Sequence, residues 1–482
     1  MLFKELLPQY NGDFENTEIG GVTCDSRKVT QGSVFVCIKG PDNDGHNYAK
    51  SALQNGAAVI VCEKDLGLAN QVIVDDTHSV FSYMCGKVFD FPAKKLHIIG
   101  VTGTNGKTSV TYMLKKVLET AGHRVALIGT IQNMIGDAVT ESHNTTPGVY
   151  ELNAFFAKAV SEGCDYAVME VSSHALHQRR VEGIEFDVAI FTNLTQDHLD
   201  YHKTMEEYLA AKKKLFYACK TAVINLDDPY AGKLMEGLDC NIVTYSLGND
   251  STYSAKSIIY RPASVRYQLL GGGKLTEITV NTGGKFTIYN SLAAAVAAIE
   301  CGISAEIAAK GLSLLEGVKG RAEVVPCDLG FTVIIDYAHT PDGLKNILST
   351  FKECEKNRLI VLFGCGGDRD KTKRPIMGNI AVHNADFVIV TSDNPRSEDP
   401  QAIIDDILVG TEGFKTPLKV IPNRTEAIKY AISIGMPGDI IVLAGKGHET
   451  YQILASGTVH LDEREVVAEA VSETKEKRKE QK

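Results

Sequence analysis

The segment Thr102-Gly103-Thr104-Asn105-Gly106-Lys107-Thr108 combines residue types that can hold a polyphosphate. Glycines let backbone N–H groups approach phosphate oxygens, and a following helix N-terminus adds partial positive charge. Lys107 can reach β- and γ-phosphate oxygens, and the Thr108 hydroxyl can hold Mg²⁺. The segment departs from the general phosphate-loop pattern, because Val101 stands where the first glycine is expected. ATP is the expected nucleotide. Glu170 and His198 each follow an apolar run, in Val168-Met169-Glu170-Val171 and Phe191-Thr192-Asn193-Leu194-Thr195-Gln196-Asp197-His198. The carboxyl ends of neighbouring parallel strands face a common crevice. A carboxylate and an imidazole there suit a divalent cation that also touches phosphate. His174, His177 and His202 read as local hydrogen-bonding residues. Lys213 and Lys214, which follow Lys212, read as a solvated helix face.

The elements that must position these groups are legible in the pattern. Apolar runs at 96–101, 166–171, 188–192, 222–225, 333–336, 359–363, 387–391 and 440–444 predict strands. The spacing predicts helices over 108–121, 205–218 and 291–301. Such alternation predicts an α/β chain with mainly parallel sheets. A length of 482 residues suggests three domains, with boundaries near 90–95 and 320–323 that give 1–93, 94–321 and 322–482. Residues 253–286, alternating around Gly271-Gly272-Gly273, read as an antiparallel hairpin insert. Residues 473–482, nearly all charged or polar, read as a solvated, fraying helix end. The net charge of −10 argues against nucleic acid as a partner. Eleven cysteines without a CxxC pair read as thiols in a reducing compartment. With neither a signal peptide nor a long apolar run, the expectation is a cytoplasmic protein without membrane insertion.

Taken in order, these segments resemble the Mur ligases almost from end to end. The resemblance rests on the phosphate loop, Glu170-Val171-Ser172-Ser173-His174, Asp197-His198-Leu199-Asp200-Tyr201-His202 and Asp336-Tyr337-Ala338-His339-Thr340-Pro341. Asp25-Ser26-Arg27, Asn144-Thr145-Thr146-Pro147, Phe363-Gly364-Cys365-Gly366-Gly367-Asp368-Arg369-Asp370 and Gly445-Lys446-Gly447-His448-Glu449 extend it. Within the family the chain looks like the members that extend UDP-N-acetylmuramoyl-L-alanyl-D-glutamate (UDP-MurNAc-L-Ala-D-Glu) to a tripeptide. The resemblance implies a smaller N-terminal α/β domain for the uridine end, a central phosphate-loop ATPase and a C-terminal Rossmann-like domain. It also implies a monomer working through an acyl phosphate. ATP contacts would come from Gly103, Thr104, Asn105, Gly106, Lys107, Thr108 and Ser109, joined by Asn290, Arg321 and Asp336. The UDP substrate would meet Ser26, Asn144, Thr145, Thr146 and Ser173, with either Arg179 or Arg180; Arg180 fits the family spacing better. Thr108 and Glu170 would hold Mg²⁺. Lys212 resembles a lysine that CO₂ converts to a carbamate, which would help hold a second Mg²⁺ with Glu170 and His198.

The resemblance also bears on the amino acid added. The turn Asp393-Asn394-Pro395-Arg396 carries a guanidinium where members adding meso-diaminopimelate have one, and lysine-adding members depart there. Diaminopimelate has a second carboxylate beside its distal ammonium, which a guanidinium can bind bidentately. Arg369 could add a second guanidinium, Glu449 could accept the distal ammonium, and Gly445 belongs to the same set. Three alternatives remain open: a lysine-adding member, a folylpolyglutamate synthase, and an ATP-binding relative without catalysis.

Overall fold

A computed structural model describes residues 1–41, 43–354 and 356–480. The chain forms two compact units, Met1–Thr244 with Val296–Ile303, and Tyr245–Ala295 with Ser304–Lys482.

The first unit begins with a parallel sheet of Gly21–Thr23, Ser33–Val36, Val59–Cys62 and Gln71–Ile73, in that order. Val34, Val36, Val59 and Val61 turn to one core, and Phe35, Ile60 and Cys62 to another. Helix Thr77–Val88 closes the first face; Asp76 caps it by accepting from the N–H groups of His78 and Ser79. The second sheet of this unit runs Cys219–Asn225, Phe186–Phe191, His97–Thr102, Tyr166–Glu170 and Val125–Ile128, all parallel. A hairpin of Gln132–Ile135 and Ala138–Glu141 follows at its edge. Strand His97–Thr102 is buried on both faces from Ile98 onward, as the apolar run requires. Val101 is registered against Glu170 and Thr102 against Phe191. This register sets the ends of three strands side by side around the phosphate loop.

The second unit contains a meander of Tyr253–Arg261, Ser264–Gly271 and Lys274–Val280. The expected hairpin is thus three strands, because Gly272 and Gly273, both at positive φ, make a second tight turn. Its expected end falls inside helix Lys285–Glu300, which starts well before residue 291 and includes Asn290. A six-stranded sheet has the order Glu323–Val325, Thr332–Asp336, Ile440–Ala444, Leu359–Phe363, Phe387–Val390 and Leu418–Val420, parallel except for its first pair. One face packs on Leu344, Leu348, Met377, Ile404 and Ile407, the other on Ala427, Ile428, Ala431 and Val467. Helices on both faces make it doubly wound, with ligand-facing loops at the carboxyl ends of the strands.

The other expected elements form with small shifts at their ends. The predicted helix over 205–218 is α-helical over Met205–Lys213 and tightens to a 3₁₀ turn over Lys214–Ala218. The expected helical end at 473–482 lies in helix Glu463–Glu480, and residues 481–482 fall outside the described set.

Candidate functional site

The phosphate loop takes its shape from its neighbour strand. Gly106, at φ +89°, is the N-cap of helix Lys107–Thr120. A Cβ at Gly103 would collide with Thr192 Oγ1, so only glycine fits. Thr104 and Asn105 donate their N–H groups to the Asn193 carbonyl and side chain at 2.8 and 2.9 Å. Thr192 Oγ1 donates to the Asn105 carbonyl at 2.6 Å. Lys107 Nζ lies over the loop, donating to the Gly103 and Thr104 carbonyls at 2.8 and 2.9 Å. Thr108 is buried in the first helical turn, and Ser109 follows it.

Lys212 sits on the same loop. Its Nζ donates to the Gly103 carbonyl at 2.8 Å, so two lysines share one acceptor, and it lies 4.4 Å from the Tyr208 ring centre. Only 1% of Lys212 is exposed. Burial, reinforced by the charge of Lys107, holds its amine well below the ordinary lysine range. Both influences disfavour the charged form of the amine. His198, at φ +53°, starts the short helix Leu199–His202 and faces Asp197 at 3.5 Å. Burial and the nearby Lys107 and Lys212 lower its pKa and favour neutral imidazole, while Asp197 opposes them. The structure therefore brings Lys107, His198 and Lys212 into one electrostatic neighbourhood. His177 bonds the Tyr201 hydroxyl at 2.9 Å and His202 bonds Ser173 Oγ at 2.8 Å, whereas His174 packs against the Tyr201 and His198 rings.

Glu170 ends the adjacent strand, almost wholly buried. Thr130 binds both of its oxygens, through N–H at 2.8 Å and Oγ1 at 3.0 Å. A Cβ on Gly129 would come within 2.5 Å of Glu170 Oε1, so this turn is shaped around the carboxylate. Among the described residues no three His, Cys, Asp or Glu side chains converge as a metal cage. Glu170, the Thr108 hydroxyl and neutral His198 still fit Mg²⁺, which takes few protein ligands and completes its shell with phosphate and water. Thr130 and Tyr208 carry no sequence signal: a lone threonine after glycine and a tyrosine on a helix face are ordinary.

The candidate uridine-substrate residues fall in three places. Ser26 begins a 3₁₀ turn capped by Asp25, which also binds Arg27. Thr145 Oγ1 lies 3.0 Å from Thr130 Oγ1, and Thr146 Oγ1 donates to the Glu170 carbonyl at 2.9 Å. The Asn144 carbonyl accepts from Ser142, and buried Ser173 meets His202. Arg180 donates to the Thr146 carbonyl at 3.0 Å. Arg179, at φ +57°, is instead committed to Asp76 and Glu182.

The remaining candidates lie in the second unit. The Arg321 guanidinium is 5.0 Å from the Tyr337 ring centre, and Asp336 Oδ2 accepts from the Ala322 N–H at 2.7 Å. Burial raises the Asp336 pKa while Arg321 pulls it down. Asn290 is buried in its helix. Arg396, at φ +53°, donates through one terminal nitrogen to the carbonyls of Gly367 and Asn394 at 2.9 and 3.4 Å. Asn394 Nδ2 donates to Glu449 Oε2 at 3.0 Å. Lys446, fully buried, donates to Asn394 Oδ1 at 2.8 Å and Glu449 Oε2 at 2.6 Å. Nothing in the sequence around Lys446 marks it out; its burial is visible only in the fold. Gly445, at φ +117°, sits against Asp393, and Pro395 turns the chain between Asn394 and Arg396. Arg369 is exposed, and its guanidinium donates to the Asp368 carbonyl at 2.9 Å.

A sheet-borne phosphate loop, a buried carboxylate and a buried lysine of lowered pKa suit an ATP-using ligase, the class to which comparison with known proteins also points. The chain belongs to the Mur ligase family: residues 18–84 match its catalytic-domain model, 101–298 the middle domain and 320–447 the glutamate ligase domain. Within that family it is 47% identical to the UDP-N-acetylmuramoyl-L-alanyl-D-glutamate–2,6-diaminopimelate ligase of Clostridium botulinum, over 95% of this chain and 96% of that one. A solved structure of a ligase with the same name is 34% identical, with a TM-score of 0.76 over 98% of this chain and 99% of that one. The Thermotoga maritima MurF ligase, in complex with ADP, shares the fold with a TM-score of 0.61 at 19% identity, over 96% of this chain and 99% of that one.

Proposed function

We propose that this chain is an ATP-dependent ligase of peptidoglycan precursor synthesis, joining meso-2,6-diaminopimelate to the D-Glu γ-carboxylate of UDP-MurNAc-L-Ala-D-Glu. Near full-length likeness to ligases of that name supports the reaction. The observation that carries the choice of acceptor is Arg396. One nitrogen of its guanidinium is anchored on backbone carbonyls, which orients the rest of the fork.

A carboxylate is a poor electrophile, so it must first be activated. A γ-carboxylate oxygen attacks the γ-phosphorus of ATP, ADP leaves, and an acyl phosphate forms. The neutral amine of diaminopimelate then attacks the acyl carbon, loses a proton and expels phosphate. Lys107 neutralises charge on the transferring phosphoryl group, and the loop N–H groups orient it. Thr108 and Glu170, with His198, would hold Mg²⁺, which would supply further electrostatic stabilisation when bound. Burial lowers the Lys212 pKa and so favours the uncharged amine that reacts with CO₂: the amine nitrogen bonds carbon, a proton leaves, and the resulting anionic carbamate would help hold a second Mg²⁺ with Glu170 and His198.

Arg180, at the Thr146 carbonyl, serves the UDP substrate with Ser26, Asn144, Thr145, Thr146 and Ser173, while Arg179 ties Asp76 to this region. Arg369, Arg396 and the Asp393 and Gly445–Glu449 loops serve the acceptor. The family resemblance supports assigning Asn290, Arg321 and Asp336 to the nucleotide and placing domain boundaries at 93/94 and 321/322. No helix among the described residues is long and apolar enough to cross a membrane; the reaction is assigned to the cytoplasm, where ATP is available.

The test is phosphate release from ATP with UDP-MurNAc-L-Ala-D-Glu, comparing meso-diaminopimelate with L-lysine. Release with diaminopimelate alone is expected. Equal release with lysine would overturn the role of Arg396, and release with neither would overturn the ligase reading.

A further inference from the structure

Two buried ionisable residues outside the candidate site lie beneath the acceptor loops. Arg424 opens helix Arg424–Ser433, and Glu463 opens helix Glu463–Glu480; 1% and 0% of these residues are exposed. Arg424 Nε donates to Glu463 Oε1 at 2.8 Å. Its two terminal nitrogens donate to the Ser392 carbonyl at 3.3 Å and the Ala444 carbonyl at 2.8 Å. Ser392 immediately precedes Asp393-Asn394-Pro395-Arg396, and Ala444 immediately precedes Gly445-Lys446-Gly447-His448-Glu449. Strand Leu359–Phe363 separates the two strands that lead into these loops. One guanidinium therefore spans a strand and sets the spacing of both loop exits.

The same pair faces a buried acceptor atom. Asp393 Oδ2 lies 3.9 Å from an Arg424 terminal nitrogen and beside Gly445, with no hydrogen-bond partner among the described residues. Glu463 Oε2 likewise has none. Buried carboxylate oxygens of this kind call for a donor. Asp393 can receive one from a ligand amine, because its loop lies at the carboxyl end of the sheet.

We infer that Arg424 and Glu463 are positioning residues for the acceptor amino acid, holding the Asp393–Arg396 and Gly445–Glu449 segments at the separation its two charged ends require. The inference rests on the ligase reading above. Lysine at 424 keeps the charge but donates from a single point, and so cannot bridge two carbonyls and a carboxylate. Glutamine at 463 keeps an accepting oxygen and removes the carboxyl group.

The experiment is steady-state kinetics of wild type, Arg424→Lys and Glu463→Gln, with each substrate varied in turn and folding checked by circular dichroism. Wild-type use of diaminopimelate decides the ligase reading; variant-to-wild-type ratios decide the positioning role. The expected result is a KM for the acceptor raised on the order of ten-fold in Arg424→Lys and less in Glu463→Gln. The KM values for ATP and for the UDP substrate should stay within about two-fold, since a misplaced loop penalises only the group it holds. An equal rise for all three substrates, no rise for any, or loss of fold in both variants would each overturn the positioning role.

Discussion

Lys107 and Lys212 show how two chemically identical side chains are placed in different environments. Both donate to the Gly103 carbonyl, but Lys212 is completely enclosed, and burial disfavours its charged form. Lys107→Ala should lower kcat on the order of 10²–10³-fold, the usual effect of removing one transition-state charge contact, while sparing uridine-substrate binding. Undiminished phosphate release in that variant would rule out the phosphate-loop role. Arg396→Ala should lower kcat/KM for diaminopimelate on the order of 10²-fold, because an unpaired buried carboxylate is a large penalty. KM for ATP should change little, and a matched loss for both substrates would remove the specificity argument.

At the scale of elements, register decides what surrounds each candidate. Glu170 was recognisable as a carboxylate after an apolar run, yet its orientation depends on Thr130, forty positions earlier. Thr130→Val removes the bond to Oε2 and keeps the N–H bond to Oε1; such a loss costs about 1 kcal/mol. The expected outcome is weaker apparent Mg²⁺ affinity by a few fold with ATP binding retained, measured by Mg²⁺ titration of activity and by nucleotide binding. Unchanged Mg²⁺ dependence would separate Thr130 from the cation site. Asp76 has a second structural task, capping helix Thr77–Val88 while pairing with Arg179. Asp76→Ala should lower the unfolding free energy by about 1–2 kcal/mol in urea denaturation, the cost of a lost cap plus a partly exposed ion pair. Unaltered stability would show that the cap and pair contribute nothing.

Over the whole molecule, buried imidazoles make stability depend on pH. Burial, with the nearby positive groups, lowers the pKa of His202 in the first unit and His448 in the second from 6.5 to about 4. A folded-state value below the unfolded one means that unfolding takes up protons. The contribution is therefore full above pH 6.5 and declines as pH falls toward 4. Denaturation midpoints should drop across that window, and His202→Gln should flatten the drop. An identical pH profile in the variant would show that His202 does not titrate with unfolding.

What the sequence by itself determined was the α/β class, the strand–loop–helix around Lys107 and the strand-end positions of Glu170, Asp336 and Asp393. Each follows from local rules: apolar runs of strand length, glycine where backbone must approach a ligand, and turns where strands stop. The motif order also sufficed to bring the family into view. Only the tertiary structure decided that Lys212 is buried on Gly103, that Arg180 lies at Thr146 while Arg179 pairs with Asp76, and that Thr130, Lys446, Arg424 and Glu463 surround the candidate groups. Burial and pairing between distant segments depend on sheet order and register, which bring together residues whose spacing along the chain carries no periodic signal.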